Sequence, residues 1–237
     1  MRSGTLGALL LLHAAAAGAS TQLAASLADL SLEQLANIRV STVSGREEPL
    51  SRAAASIFVI RGDDIRRSGS TSLPDALRLA PNLDVARVDA NQYAISARGF
   101  NAVLANKMLV LIDGRTVYSP VFAGVFWETQ DLPLLDVARI EVTRGPGGSI
   151  WGANAVNGVI NVITKRATET RGTLVNASAG TSVLGPYMIR HGGRLGAAGA
   201  YRAYAKVRFE DSHRLLTGAD AQDDFDFGQL GFRAETD

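Results

Sequence analysis

The chain has 237 residues, of which 24 are Lys or Arg and 23 are Asp or Glu, so its formal net charge is +1. This balance argues against a nucleic-acid partner, which requires a clustered basic surface. Cysteine is absent, which excludes a disulfide framework and a thiolate metal site, and the three histidines show no metal-ligand spacing. We therefore expect no metal centre and no bound cofactor.

Residues 1–19 have the pattern of a secretory signal peptide. Arg2 supplies a positive start, residues 6–17 are largely apolar, and Ala17-Gly18-Ala19 fits the cleavage rule for small residues. A buried N-terminal helix is the alternative, but the length and the flanking residues favour export by a Sec-type route. No later stretch approaches the roughly 18 apolar residues of a membrane-spanning helix.

Residues 20–50 read as a leader that precedes the first domain. Leu30, Leu32, Leu35 and Ile38 have helical spacing, and "IRVSTVSG" from Ile38 then alternates between polar and apolar residues, which predicts an extended segment. Pro49 breaks that pattern.

Residues 51–165 predict one compact unit of short helices and strands. Two helices are expected in "GDDIRRSGS" and "STSLPDALRLAPN", the second with Ser72 as its cap, Asp75 three residues later and Pro81 at its end. Asp113-Gly114 lies between two apolar runs and predicts a two-residue hairpin turn. The other expected strands are "SIFVI", "YAISARGF", "VARIEVTRG" and "GVINVITK".

From residue 171 onward the pattern changes to long alternating strands. In "AYRAYAKVRFED", one face carries Tyr201, Ala203, Ala205, Val207 and Phe209, and the other carries Arg202, Tyr204, Lys206, Arg208 and Glu210. Strands of about ten residues suit a tilted membrane crossing, with the charged face inside a barrel. A soluble β-sandwich fits the alternation as well, so the pattern alone leaves both open.

The stretch "RGPGGSIWGAN" is rich in glycine but is not a phosphate-binding loop. It has neither a lysine after its glycines nor a helix start behind them, because the β-branched run of a strand follows Gly158. No Ser/His/Asp or Cys/His set accompanies it, so no catalytic residue is assigned and an enzyme is not expected.

Three segments, in this order, resemble the plug domain of TonB-dependent outer-membrane receptors. They are "ISARGFN" (95–101), "LVLIDGRTVY" (109–118) and "ARIEVTRGPGGSIWGANAVNGVINVITK" (138–165). The resemblance implies an α+β fold class: a small mixed β-sheet with short helices in residues 51–165, then the first antiparallel strands of a transmembrane β-barrel in residues 171–237. It also implies a location in the Gram-negative outer membrane and contact with lipid through a complete barrel.

The resemblance assigns two arginines to seating the plug in the barrel. Arg98 in "ARGF" and Arg144 in "TRGP" match arginines that pair with carboxylates of the barrel wall in this family, and those carboxylates would lie beyond Asp237. Alternatively, both arginines end strands and meet solvent. Glu141 is expected to pair locally with Arg139 or Arg144.

The resemblance further implies two partners. A nutrient chelate, such as a ferric siderophore or cobalamin, would contact the outer loops 86–93 and 117–130, where we expect Asn91, Gln92, Tyr118 and Phe122 to face it; packing within the plug or against the wall is the alternative for these aromatic residues. The periplasmic protein TonB would pair with the leader, for which the best candidate residues are Ile38, Arg39, Val40, Ser41, Thr42, Val43 and Ser44.

The expected function is therefore active uptake of a scarce nutrient chelate, with the plug gating the barrel lumen. Residues after 171 supply at most about four crossings, fewer than the eight strands of the smallest closed barrels. We therefore expect the chain to be the amino-terminal part of a transporter. The alternative is an exported, plug-like binding module without a pore.

Overall fold

The fold was analysed in a computed structural model of the chain. It describes residues 38–42, 46–53, 55–81, 83–145, 148–152, 154–180 and 183–236. The expected signal peptide and the helical spacing of Leu30 to Leu35 lie outside these residues, as do Val43 and Ser44 of the leader.

Short helices and many strands make up the described chain. The α-helices are α1 (Gly62–Ser68), α2 (Leu73–Leu77) and α3 (Gly148–Trp151), and single 3₁₀ turns occupy Leu50–Arg52, Trp127–Thr129, Leu134–Asp136 and Ala167–Thr170. The strands are β1 (Arg39–Val40), β2 (Glu48–Pro49), β3 (Ser56–Arg61), β4 (Asp84–Arg87), β5 (Tyr93–Ser96), β6 (Met108–Ile112), β7 (Arg115–Thr116), β8 (Val137–Arg144), β9 (Gly158–Thr164), β10 (Gly172–Asn176), β11 (Val183–Leu195), β12 (Gly199–Glu210) and β13 (Phe225–Thr236).

A five-stranded mixed sheet, in the order β3-β8-β9-β6-β7, forms the centre of the first domain. Strands β6 and β9 are parallel, whereas the other neighbours are antiparallel. Strand β9 is covered on both faces, and this explains its continuous apolar run. The turn between β6 and β7 consists of Asp113 and Gly114, as predicted, since Ile112 pairs with Arg115.

The main hydrophobic core lies on one face of this sheet. Helices α1 and α2 close it with Ile65, Leu73 and Leu77, which pack against Ile140 and Ile160 of the sheet. A smaller cluster of Leu109, Leu111, Ala155 and Val159, joined by Trp151, covers part of the opposite face. The leader residues 38–42 also reach this second face, because Thr42 contacts Trp151 and Asn161 there.

The two helices begin where the sequence predicts. Ser72 accepts a hydrogen bond from the backbone N–H of Asp75 at 3.3 Å, which satisfies one free donor at the start of α2. The helix is shorter than the expected segment, because it ends at Leu77 and the chain turns before Pro81. Gly62 starts α1 in close contact with β8, where an added Cβ would lie 2.4 Å from the carbonyl oxygen of Val137.

An antiparallel sheet of β10-β11-β12-β13 follows the first domain. Along β12 the charged residues are buried, whereas Ala203, Val207 and Phe209 are exposed: Lys206 is 3% accessible and Phe209 is 42% accessible. The exposed face also carries Val175, Ile189, Leu230 and Phe232. A small mixed sheet with short helices, followed by antiparallel strands, was the predicted fold class, and it is confirmed.

In the described part of the chain, every helix is too short or too polar to cross a bilayer.

Candidate functional site

The buried face of the four-stranded sheet rests on an acidic segment of the first domain. Asp136 forms ion pairs with Arg190 of β11 and with Arg202 of β12, whose Nε lies 3.7 Å from Asp136 Oδ2. Asp131 is paired with two further bases of β12, with 2.8 Å from Oδ2 to Lys206 Nζ and 3.7 Å from Oδ1 to Arg208 Nη1. Two buried acids of the segment 131–136 therefore face four bases of the sheet.

A second group of contacts lies at the turn between β6 and β7. Arg233 of β13 donates to Asp113 Oδ2 at 3.0 Å and to Thr164 Oγ1 at 2.7 Å. Asp113 also accepts from the backbone N–H of Thr164 at 2.8 Å. Glu235 accepts from the backbone N–H of Ala167 at 2.7 Å. The point where the chain leaves the first domain is thus fixed to the last strand of the sheet.

Breaking these ion pairs is costly in free energy, because both partners are withdrawn from water. Asp131, Asp136, Lys206 and Arg208 are all buried. Removing one member of such a pair leaves an uncompensated buried charge, which typically costs about 3–5 kcal/mol. A pair of this kind gives specific positioning more than net stability, since desolvation offsets much of the attraction.

A cavity of about 540 Å³ lies between the turn after β7 and strands β12 and β13. Tyr118 and Gln130 line it from the first domain, and Tyr204 and Gln229 line it from the sheet. Tyr118 is therefore placed between domain and sheet.

The remaining residues expected to face a ligand lie in two separate stretches of the first domain. Asn91 and Gln92 are half-buried in the turn between β4 and β5, where Asp89 Oδ1 accepts from both of their backbone N–H groups at 3.0 and 2.7 Å. Phe122 is 58% accessible. Its ring meets that of Phe126 edge-on at 5.1 Å. Trp127, by contrast, belongs to the main core.

The loop 211–224 of the sheet contacts the turn between β4 and β5. Asp223 Oδ2 accepts from the backbone N–H of Ala90 at 2.9 Å, and Arg87 forms an ion pair with Glu210. Partial desolvation raises the pKa of Asp223, but hydrogen bonds from His213 and Ala90 outweigh it and hold that pKa below its ordinary value. In the same loop, hydrogen bonds from the backbone of Gln222 and from Ser212 lower the pKa of Asp220.

Arg98 lies next to the residue that follows Arg144. Arg98 is exposed and has a φ of 61°. A Cβ added at Gly145, next to Arg144, would lie 3.9 Å from Arg98 Nη2. Arg144 Nε is buried and has no hydrogen-bond partner among the described residues. Their pairing with carboxylates of a wall stays a prediction.

The leader is held at the second face of the first domain by Glu141. The backbone N–H groups of Ser41 and Thr42 both donate to Glu141 Oε2 at 2.9 Å. Arg139 Nε donates to Glu141 Oε1 at 2.8 Å, so Arg139 is the local partner of Glu141. In the described ranges, no group of three or more metal-ligating side chains occurs.

Comparison with known proteins identifies the first domain. Residues 49–159 match the family model of the TonB-dependent receptor plug domain. This segment is a TonB-dependent receptor plug. Its sheet, the acidic segment 131–136 and the anchored leader all belong to, or directly border, the matched residues.

Relatives extend the match beyond the plug. Over 144 residues the chain is 34% identical to the vitamin B12 transporter BtuB of Vibrio vulnificus, a stretch that covers 60% of this chain and 23% of that protein. The structure of the ferric-catecholate import receptor Fiu from E. coli K12 aligns with 24% identity and a TM-score of 0.54, covering 70% of this chain and 23% of Fiu.

A mutant of the ferric enterobactin receptor PfeA from Pseudomonas aeruginosa, in complex with enterobactin, aligns with 25% identity and a TM-score of 0.50. That alignment covers 68% of this chain and 26% of PfeA. The chain thus spans about a quarter of the length of these relatives.

Sequence reasoning missed the acids that the plug presents to the sheet. It assigned seating to Arg98 and Arg144 and left "DLPLLD" without a role. The signal was present, however, because the inward face of β12 carries Arg202, Lys206 and Arg208 at alternate positions. Three bases on a buried face require acids opposite them.

Proposed function

We propose that this protein is an outer-membrane transporter that imports a scarce nutrient chelate and is driven by TonB. The observation that carries the proposal is the inverted burial of β12, with its charged side against the plug and its apolar side exposed. A soluble sheet buries its apolar face, whereas a membrane barrel turns that face to lipid and lines its lumen with polar groups.

The same observation disfavours the alternative of an exported binding module without a pore. Leu230 and Phe232 are 83% and 85% accessible on the outward face. Together with Val175 and Ile189 they form an apolar surface that a soluble module would have to cover. A lipid bilayer supplies that cover for a barrel wall.

The proposed cargo is a ferric siderophore or a cobalamin. The proposal is supported by two similar proteins, a vitamin B12 transporter and a ferric enterobactin receptor. Asn91, Gln92, Tyr118 and Phe122 are proposed to contact the chelate from the plug. The exposed ring of Phe122 suits stacking on a flat or macrocyclic ligand.

Coupling to TonB is assigned to the leader residues 38–44. A partner strand that adds to this extended segment would bind through backbone hydrogen bonds and could then pull on the plug. Export to the outer membrane is assigned to the signal peptide in residues 1–19.

The test is deletion of Ile38 to Ser44 in the complete gene product. Energy-dependent uptake of iron-labelled enterobactin and of cobalt-labelled cyanocobalamin is measured, together with their equilibrium binding to isolated outer membranes. We expect one chelate to bind equally well with and without the deletion, while its uptake falls to the level of a strain without TonB. Unchanged uptake would refute the leader assignment, and binding of neither chelate would refute enterobactin and cyanocobalamin as the cargo.

A further inference from the structure

Thr42 is bonded to three side chains of the plug. Its backbone N–H and that of Ser41 both donate to Glu141 Oε2 at 2.9 Å, and its hydroxyl donates to the same oxygen. Its carbonyl oxygen accepts from the indole N–H of Trp151. Asn161 Nδ2 donates to the Thr42 hydroxyl oxygen at 3.4 Å.

One carboxylate oxygen of Glu141 accepts hydrogen bonds from the leader. It is fully buried. A carboxylate in such a place is costly unless donors surround it. Every hydrogen bond that the structure records on Oε2 comes from Ser41 or Thr42, while Arg139 orients Oε1. The sheet that contains Glu141 does not use Oε2.

Strand addition needs the groups that these contacts occupy. A partner strand pairs with free backbone N–H and C=O groups of the segment that it extends. In this structure two N–H groups and one C=O group of residues 41 and 42 are bonded to plug side chains. Arg39 and Val40 are already paired with β2, and Val40 is 0% accessible.

We propose that Glu141 and Trp151 form a latch that holds the leader on the plug. This latch competes with TonB for the backbone N–H and C=O groups of the leader. The inference rests on the proposed role of residues 38–44 in TonB binding. Glu141 and Trp151 are positioning residues, because they act through the leader. A partner can pair with residues 41 and 42 only after these bonds open.

These 237 residues contain no cysteine, so an introduced cysteine allows a direct test of the latch without TonB, once any cysteine elsewhere in the complete gene product is replaced by serine. Val40→Cys is introduced as a small apolar reporter, and its rate of maleimide labelling is measured in outer membranes that carry the complete gene product. Glu141→Ala leaves the N–H groups of Ser41 and Thr42 without their acceptor. Trp151→Phe removes the donor to the Thr42 carbonyl oxygen and keeps a smaller aromatic ring against the cluster of Leu109 and Val159. We expect labelling to accelerate about tenfold or more in Glu141→Ala and several-fold in Trp151→Phe.

Two controls separate the latch from general unfolding. Glu47→Gln removes another carboxylate near Arg139, but Glu47 is exposed and bonds neither Ser41 nor Thr42 through its side chain, so labelling is expected to stay unchanged. Ala76→Cys reports on the main core and is expected to stay unlabelled in every variant.

The outcomes distinguish this inference from the proposed function. Equal labelling of Val40→Cys in Glu141→Ala, Trp151→Phe and the parent would overturn the latch. Labelling of Ala76→Cys together with Val40→Cys in Trp151→Phe would overturn it too, because the plug itself would then have opened. Accelerated labelling with uptake that survives deletion of residues 38–44 would support the latch and refute the leader's role in transport.

Discussion

At the scale of single residues, Asp223 connects the loop 211–224 to the plug. Its side chain accepts from the backbone N–H of Ala90 at 2.9 Å and from that of His213 at 2.7 Å, and it is 16% accessible. His213 Nδ1 lies 2.8 Å from Asp223 Oδ2, and Ser212 bonds the backbone of Asp223. The ionised carboxylate accepts the bonds from Ala90 and His213 more strongly than the protonated acid does. The ionisation of Asp223 therefore controls the contact between the loop and the plug.

The lowered pKa of Asp223 gives this contact a pH dependence. A carboxylate whose pKa is lower in the folded state stabilises that state above its unfolded pKa, which is about 4, and loses the effect as pH falls through the folded pKa. We therefore expect a spin label at Leu216→Cys to be restrained above about pH 5 and to become mobile at more acidic pH. In Asp223→Ala the label should be mobile throughout this range.

Asp220→Asn is the matched control for that titration. Asp220 lies in the same loop and also has a lowered pKa, but its hydrogen bond from Gln222 stays within the loop. The pH response of the label should persist in Asp220→Asn. If it disappears there and survives in Asp223→Ala, Asp223 is not the titrating group.

The partners of single side chains were the least predictable feature. The sequence offered both Arg139 and Arg144 for Glu141, and the structure selects Arg139. Strand alternation places residues 139 and 141 on one face, which favours that choice. The bonds from Ser41 and Thr42 to Glu141 span about 100 residues, and no local pattern encodes them.

At the scale of elements, the two faces of β12 and β13 are the clearest link between sequence and structure. Period-two alternation alone divided the residues of β12 into a charged and an apolar set, and these became the buried and the exposed faces. Which of the two faces is buried could be assigned only from the contact with the plug, because the same alternation fits a soluble sandwich. For β13 the sequence does not separate the two faces, because phenylalanines lie on both of them.

A pair of neighbouring substitutions in β13 tests this orientation. Leu230 points outward, whereas Gln229 points inward and lines the 540 Å³ cavity. Leu230→Arg places a charge on the proposed lipid face, where the cost is about 2–4 kcal/mol near mid-membrane. We expect the amount of folded protein in outer membranes, measured by heat-modifiable gel mobility, to fall several-fold.

Gln229→Arg introduces the same charge one residue away. The cavity can admit the longer side chain, and its space for water screens the new charge from Lys206 directly opposite. Folded protein should therefore stay near the parent level. Equal losses in both variants, or a greater loss in Gln229→Arg, would contradict the inside-out arrangement.

At the scale of the whole molecule, opposite charges join the plug to the sheet. The plug contributes Asp113, Asp131 and Asp136, and the sheet contributes Arg190, Arg202, Lys206, Arg208 and Arg233. Because these contacts are polar and not apolar, the plug can separate from the wall without exposing a hydrophobic core to water. An interface of this kind suits the proposed transport, which requires a plug that is seated firmly and can still move.

The acidic segment should therefore control how tightly the plug closes the lumen. In Asp131→Ala/Asp136→Ala, four buried bases of the sheet lose an acidic partner, and of these Arg208 keeps an ion pair with Glu210. Breaking one buried ion pair typically costs about 3–5 kcal/mol. We expect the plug to loosen and cells that express the variant to become more sensitive to a hydrophilic antibiotic that is normally excluded from the outer membrane.

The matched control is Asp63→Ala, which removes a plug carboxylate whose only recorded ion pair is to exposed Arg66 on the same helix. Such pairs contribute little, so sensitivity should equal that of the parent at equal amounts of protein in the membrane. If the double variant reaches the membrane in normal amounts and the cells remain as resistant as the parent, then the buried ion pairs do not hold the plug in place. In that case Arg98 and Arg144 would hold the plug in the barrel. Their substitution by Ala should then be sufficient to raise the sensitivity to the antibiotic.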